Sequence, residues 1–117
     1  MNLTAELSLH VAEGQRAILR FSESAVAFSL DQVLVPGRFR AQGHGSFLVR
    51  RLLALADLVG KPVLTTARPI GQNSPAILAR LVAYYERFGF RVTQRGLTAV
   101  HMRRPLGGEA DGERSEG

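Results

Sequence analysis

The alternation of residues 3–11, and its replacement by a helical repeat after residue 47, constrain this chain more than any other feature. Leu3, Ala5, Leu7, Leu9 and Val11 alternate with Thr4, Glu6, Ser8 and His10. That is the two-residue period of a strand with one buried face. Leu48, Leu52, Leu55 and Val59 instead recur at helical spacing, while Arg50, Arg51 and Asp57 fall elsewhere. Gly60 followed by Lys61-Pro62 ends this repeat as a C-terminal glycine and proline do, so a helix of about four turns is predicted. The fold class is therefore α/β (α+β).

The remaining elements follow from period and punctuation. Gly14 closes the first strand, residues 15–21 form a second, and Ser22-Glu23-Ser24 is turn chemistry before the long apolar run 25–35. Three consecutive strands joined by tight turns predict an antiparallel meander. Residues 63–67 read as a short strand. Asn73 or Ser74 then caps a second helix with Pro75 at its first position, where the missing amide costs nothing. Ile77, Leu78, Leu81, Val82, Tyr85 and Phe88 form the inner stripe of that helix, and Gly89 ends it. Residues 90–94 and 97–103 are the last two strands, linked by the Arg95-Gly96 turn. The order is βββ-α-β-α-ββ, with no internal repeat.

Composition narrows the function. A chain of 117 residues, 45% hydrophobic, has room for one core, assigned to residues 1–106. The last eleven residues, GGEADGERSEG, hold four acids and one arginine and predict a disordered acidic tail. Without the tail the body carries fourteen basic and six acidic side chains, +8, a surface that attracts anions. The anion is a phosphorylated cofactor or a nucleic acid. No helix-turn-helix pattern, zinc spacing or aromatic strand platform supports the second. The absence of cysteine excludes disulfides, thiolate metal sites and a cysteine nucleophile. The N-terminus lacks the pattern of a signal peptide and no run approaches the roughly 18 apolar residues of a membrane span, so a cytoplasmic protein without membrane contact is expected.

The stretch FRAQGHGSFL, residues 39–48, lies where a strand gives way to a helix. A glycine loop there presents backbone amides at the positive end of the helix dipole, and Gly43 and Gly45 carry no side chain to keep a bulky anion away. The loop is suited to phosphate. It is not a Walker loop, because no G-K-S/T follows, and it lacks the third glycine of the dinucleotide fingerprint.

Arg40-Ala41-Gln42-Gly43-His44-Gly45, preceded by the strand end VLV and followed by a leucine-rich helix, resembles the Q/R-x-x-G-x-G/A acyl-CoA motif of the GNAT superfamily of N-acetyltransferases. YYERFGF, residues 84–90, is similar to the Y-E-x-x-G-F signature that closes the family's next helix. The resemblance covers about residues 25–104. It implies a GNAT-like mixed sheet whose central parallel strands, residues 25–35 and 63–67, splay apart to admit acetyl-CoA. The pantetheine arm would pair with Val33, Leu34 and Val35. The diphosphate would sit on the loop of Arg40, Ala41, Gln42, Gly43, His44 and Gly45, with Ser46 beside it and Asn73 at the head of the second helix completing the cofactor set. No metal is implied.

The resemblance also implies direct attack of an amine on the thioester. Tyr85 matches the family tyrosine that protonates the departing thiolate, and its stripe with Leu78, Leu81 and Phe88 turns it inward. Tyr84 is expected to project towards Arg80 and Arg87 instead. The glutamate that many members carry on the strand before the loop is missing, and Asp31 is the nearest substitute as base; His10 and Glu23 are more remote. The family's proline two residues after the strand-ending valine is replaced by Gly37, with Pro36 following Val35 at once, and the helices that usually follow the first strand do not precede the meander here. The predicted partners are acetyl-CoA and an amine acceptor, a small molecule or a protein amine. The alternatives are a non-catalytic acyl-CoA-binding regulatory module and a basic nucleic-acid-binding protein. An edge strand, either residues 97–103 or residues 3–11, would be covered in a homodimer.

Overall fold

The computed structural model describes residues 3–37, 42–69 and 74–106. The expected acidic tail, Arg40, Ala41 and Asn73 lie outside the described residues. The observed order is β1 (Leu3–Ala12), β2 (Gln15–Glu23), β3 (Phe28–Leu34), α1 (His44–Val59), β4 (Val63–Ala67), α2 (Pro75–Glu86), β5 (Arg91–Arg95) and β6 (Val100–Arg104). This is the predicted βββ-α-β-α-ββ sequence. The strands form one mixed sheet of order β1-β2-β3-β4-β6-β5, in which β3 and β4 are the parallel pair.

The boundaries differ where turns compete with apolar content. Residues 25–27 were expected in the third strand, but Ser24 closes them into a turn: its amide donates to the Ala27 carbonyl at 2.8 Å and its hydroxyl accepts from the amides of Val26 and Ala27. Val26 is left exposed. Similarly, Leu97 belongs to a turn closed by the Gly96 amide on the Ala99 carbonyl at 2.9 Å, so β6 starts three residues later than expected. β6 also lies between β4 and β5. The segment 97–103 therefore does not supply an edge, and the two edges of the sheet are β1 and β5.

Both helices cover one face. α1 lies over β1, β2 and β3 and α2 over β4, and a single core cluster contains Ala17, Leu19 and Phe21 of β2, Leu48 and Leu52 of α1, and Val82 of α2. The stripe of α1 is wider than its leucine repeat, because a helix lying on a sheet buries a broad face: Val49, Leu53 and Ala56 are buried with Leu48 and Leu52, whereas Val59 is exposed. The opposite face of the sheet is polar. There Arg20 donates to Glu6 at 3.0 Å and to Gln32 at 3.1 Å.

One end of the sheet is tied down. The Lys61 ammonium donates to the Glu23 carboxylate and to the Ser24 carbonyl, both at 2.7 Å, and lies over the Phe28 ring. Arg104 grips Asp57 of α1 with both guanidinium nitrogens, at 2.6 and 3.0 Å. These contacts join the start of β3, the start of β4, the end of β6 and α1.

Candidate functional site

The other end of the sheet opens. β3 and β4 pair in parallel through Phe28↔Val63, Ser29↔Leu64 and Leu30↔Thr65, and the ladder stops there. A bulge explains the parting. Leu30 and Gln32 oppose the consecutive residues Phe21 and Arg20, so Asp31 is an extra residue that bends β3. Beyond it β3 stays with β2, through Leu19↔Val33 and Ile18↔Leu34, while β4 stays with β6, through Thr66↔His101 and Ala67↔Val100. Each strand keeps its outer neighbour and the two separate. The resulting cleft, about 1510 Å³, exceeds the roughly 300–1,000 Å³ of an ordinary small-ligand pocket.

Val33, Leu34 and Val35 line one wall of the cleft, and Gly43, His44, Gly45 and Ser46 form its rim. The helix α1 begins earlier than the leucine repeat indicates: Gly43 is its N-cap, at φ 88°, and Phe47 N donates to Gly43 O at 2.9 Å as the first helical bond. The amides of Gly45 and Ser46 precede that bond. No acidic residue stands in the first turn to neutralise the positive end of the dipole.

The two glycines have different uses. A Cβ on Gly43 would meet nothing within 4 Å, so this position is open to an approaching ligand and needs glycine for its positive φ. A Cβ on Gly45 would lie 3.4 Å from Val33 Cγ1, 3.6 Å from Val35 Cγ2 and 3.9 Å from the Tyr84 hydroxyl. Those are ordinary van der Waals distances, so Gly45 sits close to the end of β3 and to α2 without needing glycine for room.

Both tyrosines of α2 line the cleft. This corrects the expectation that Tyr84 points away: its hydroxyl is hydrogen-bonded to Ser46 Oγ at 2.9 Å, joining α2 to the first turn of α1, although its ring does carry Arg87 at 5.4 Å. Successive residues on a helix differ by about 100°, and a cleft that lies along the helix receives both. Tyr85 is buried, edge-on to Tyr84 and to Phe90, each at 5.4 Å. Burial pushes its phenol above the ordinary value of 10, an effect that the Thr65 side chain partly offsets, so it stays protonated at neutral pH.

Asp31 is brought to the cleft by the bulge, exposed, and accepts a hydrogen bond from Ser22 Oγ at 3.0 Å. His10 lies on the edge strand β1, and Glu23 is held by Lys61 at the tied end of the sheet, so neither reaches the cleft. The sequence reading missed Thr65, Thr66, His101, Arg68 and Arg80, which do line it. Thr66 Oγ1 and His101 Nδ1 are 3.0 Å apart. Thr65 had a readable signal: it shares the inward period of β4 with Val63 and Ala67, a hydroxyl where only apolar groups are expected.

A mixed sheet that parts between its central parallel strands, with a glycine-capped helix starting beside the gap, is a GNAT-like fold. No protein-family model matches the sequence, and no curated protein is significantly similar to it. Solved structures do match. An acyl-CoA N-acyltransferase from Pseudomonas aeruginosa is 26% identical, with a TM-score of 0.64, over 86% of this chain and 68% of that one. The PaiA N-acetyltransferase from Thermoplasma acidophilum, solved in complex with coenzyme A, is 14% identical with a TM-score of 0.68, over 88% of this chain and 61% of that one. The anti-CRISPR protein AcrVA5 is 22% identical with a TM-score of 0.66, over 86% of this chain and 96% of that one. The chain thus spans less than two thirds of PaiA but nearly the whole length of AcrVA5. Among the described residues no helix is long and apolar enough to cross a membrane, and no group of histidine, aspartate and glutamate side chains is arranged to hold a metal.

Proposed function

We propose that this protein is an N-acetyltransferase that moves the acetyl group of acetyl-CoA to an amine. The observation that carries the reading is the end of the β3·β4 ladder at Leu30↔Thr65, with the start of α1 on one side of the gap and Tyr85 on the other. The diphosphate rests at Gly43, Gly45 and Ser46, with Arg40, Ala41, Gln42 and His44 in the same loop and Asn73 near the head of α2. The pantetheine arm runs along Val33, Leu34 and Val35. The amine nitrogen attacks the thioester carbon, Asp31 draws off its proton through water, and Tyr85 protonates the sulfur as the C–S bond breaks.

Release of free CoA from acetyl-CoA across a panel of small amines and lysine peptides tests this reading. Amine-dependent release is expected. Tight acetyl-CoA binding with no release from any acceptor would instead favour a regulatory acyl-CoA-binding module, a reading supported by the strand lacking a glutamate and by an exposed Asp31 already engaged by Ser22.

A homodimer belongs to the same proposal. β1 is a ten-residue edge whose Leu3 is exposed, and pairing with a second copy would cover it. Light scattering at about tens of micromolar, a range that captures ordinary weak association, should report twice the chain mass; a monomer would count against it.

A further inference from the structure

We propose that His101 is the base that turns the acceptor's ammonium group into a nucleophile, and that Thr66 holds it in the tautomer that leaves Nε2 unprotonated for this task. The proposal rests on the acyl-transfer reading above. An alkyl amine is an ammonium ion at neutral pH, since a lysine side chain titrates at about 10.4. It must lose two protons to become an amide: one to expose the lone pair before attack, and one as the C–N bond forms. In the reading above Asp31 takes the second through water, and the first has no acceptor.

The register of the sheet supplies one. The last rung between the parting strands, Leu30↔Thr65, continues into β6 as Thr65↔Met102, and these three side chains are buried. One step further along the strands stand Asp31, Thr66 and His101, with Thr66↔His101 in register. Alternation turns this row to the face away from the helices. There Asp31 and His101 are exposed and Thr66 is half-buried, and all three line the cleft. A carboxylate, a hydroxyl and an imidazole thus cross the mouth of the gap on β3, β4 and β6. Acyl-CoA enters beside the start of α1, so the amine comes from this uncovered side.

His101 is held at two points. Its Nδ1 lies 3.0 Å from Thr66 Oγ1, and its carbonyl accepts from Thr93 Oγ1 of β5 at 3.2 Å. A neutral imidazole carries one proton. When that proton is on Nδ1 it is donated to Thr66, and the lone pair of Nε2 is left for the ammonium. The charged groups that alternation and register put on the same face are Asp31, Arg68 just after β4, Arg91 of β5 and Arg103 of β6. The arginines keep their charge throughout the working range, so Asp31 is the other titrating group in this row. In the reaction Nε2 takes the first proton from nitrogen, and the freed lone pair forms the C–N bond. The second proton leaves through water to Asp31. The C–S bond breaks with its electron pair on sulfur, which takes the Tyr85 proton. Solvent then resets the three side chains, with one net proton released.

His101→Asn keeps a polar group where Nδ1 stood and removes Nε2. With acetyl-CoA and the best amine of the panel above, its kcat/KM for the amine near neutral pH should fall about 100-fold, with the acetyl-CoA KM changed less than about threefold. The pH profile tells a base from a structural residue. The wild type should level off above neutrality, whereas the variant, limited to the free-base fraction of the amine, should climb roughly tenfold per pH unit towards the amine's pKa. An unchanged rate in the variant would overturn the proposal, and so would a lower rate with the wild-type profile, which would make His101 structural. Nitrogen-15 shifts of the imidazole, assigned by the signal that His101→Asn removes, need no substrate. They should show the Nδ1–H form at His101, and loss of that preference in Thr66→Val; the Nε2–H form in the wild type, or the same tautomer in Thr66→Val, would overturn the assigned roles. No CoA release by the wild type from any amine would fail the acyl-transfer reading and the proposal together. Release with either contrary result at His101 would fail the proposal alone.

Discussion

Tyr85→Phe lowers kcat by about 10²- to 10⁴-fold and leaves acetyl-CoA affinity within a few-fold, if the phenol supplies the proton that the departing sulfur takes. The substitution removes one hydroxyl and keeps the ring, whose edge contacts with Tyr84 and Phe90 hold it in place. Its effect on folding should therefore be small. Tyr84→Phe is the informative comparison, because it breaks the bond to Ser46 and so loosens the first turn of α1. It should raise the acetyl-CoA KM more than it lowers kcat. Steady-state kinetics on both variants decide the roles; unchanged kcat in Tyr85→Phe would return that residue to the core, and equal kcat losses at both positions would mean that the pair acts together.

Gly43→Val should weaken acetyl-CoA binding by at least about 100-fold, which corresponds to about 2.7 kcal/mol. Two causes add. A branched side chain at φ 88° strains the backbone by roughly 1–2 kcal/mol, and the new side chain stands in the open space through which the diphosphate approaches. Gly43→Asn separates them, since asparagine tolerates this conformation but still brings a side chain into the approach. Isothermal titration on the three proteins should rank wild type tightest and valine weakest. Equal binding by wild type and Gly43→Val, or binding by neither, would remove acyl-CoA from the assignment. Gly45→Ala makes the contrast: its methyl would meet Val33 and Val35 at ordinary van der Waals distances and without a positive φ, so thermal stability should change little and any loss should appear in affinity.

Much of the architecture is legible along the chain because it is written in local period and punctuation. The alternation of Leu3 to Val11, the glycine after Val59 and the proline after Ser74 each act over a few residues, and the observed β1, α1 and α2 follow them. Boundaries fail where two local signals compete. The apolar content of Ala25-Val26-Ala27 favours a strand, but the Ser24 hydroxyl bonds to the amides of Val26 and Ala27 and the turn prevails. At the other end, the glycine before Leu97 closes a turn that leaves this leucine 99% exposed, despite its apolar character.

The site divides in the same way. Gly43, Gly45 and Ser46 could be placed beside a cleft beforehand because their motif is contiguous and lies at a helix start, and Tyr85 because it falls on the inward stripe of its own helix. Neither the place where β3 leaves β4 nor the partners across the cleft could be. The parting depends on one extra residue in the pairing with β2, at Asp31, and register between strands is a property of both chains at once. Ser46 meets Tyr84 across 38 residues of sequence and Thr65 reaches Leu30 across 35. Such pairs form only when helices and strands pack, since no short-range rule brings a hydroxyl on one element to a carbonyl or phenol on another. The amino-acid order alone thus determined the elements and the glycine loop at the start of α1. The packed tertiary structure decided which hydroxyls share the cleft, which face Tyr84 presents, and where the sheet opens.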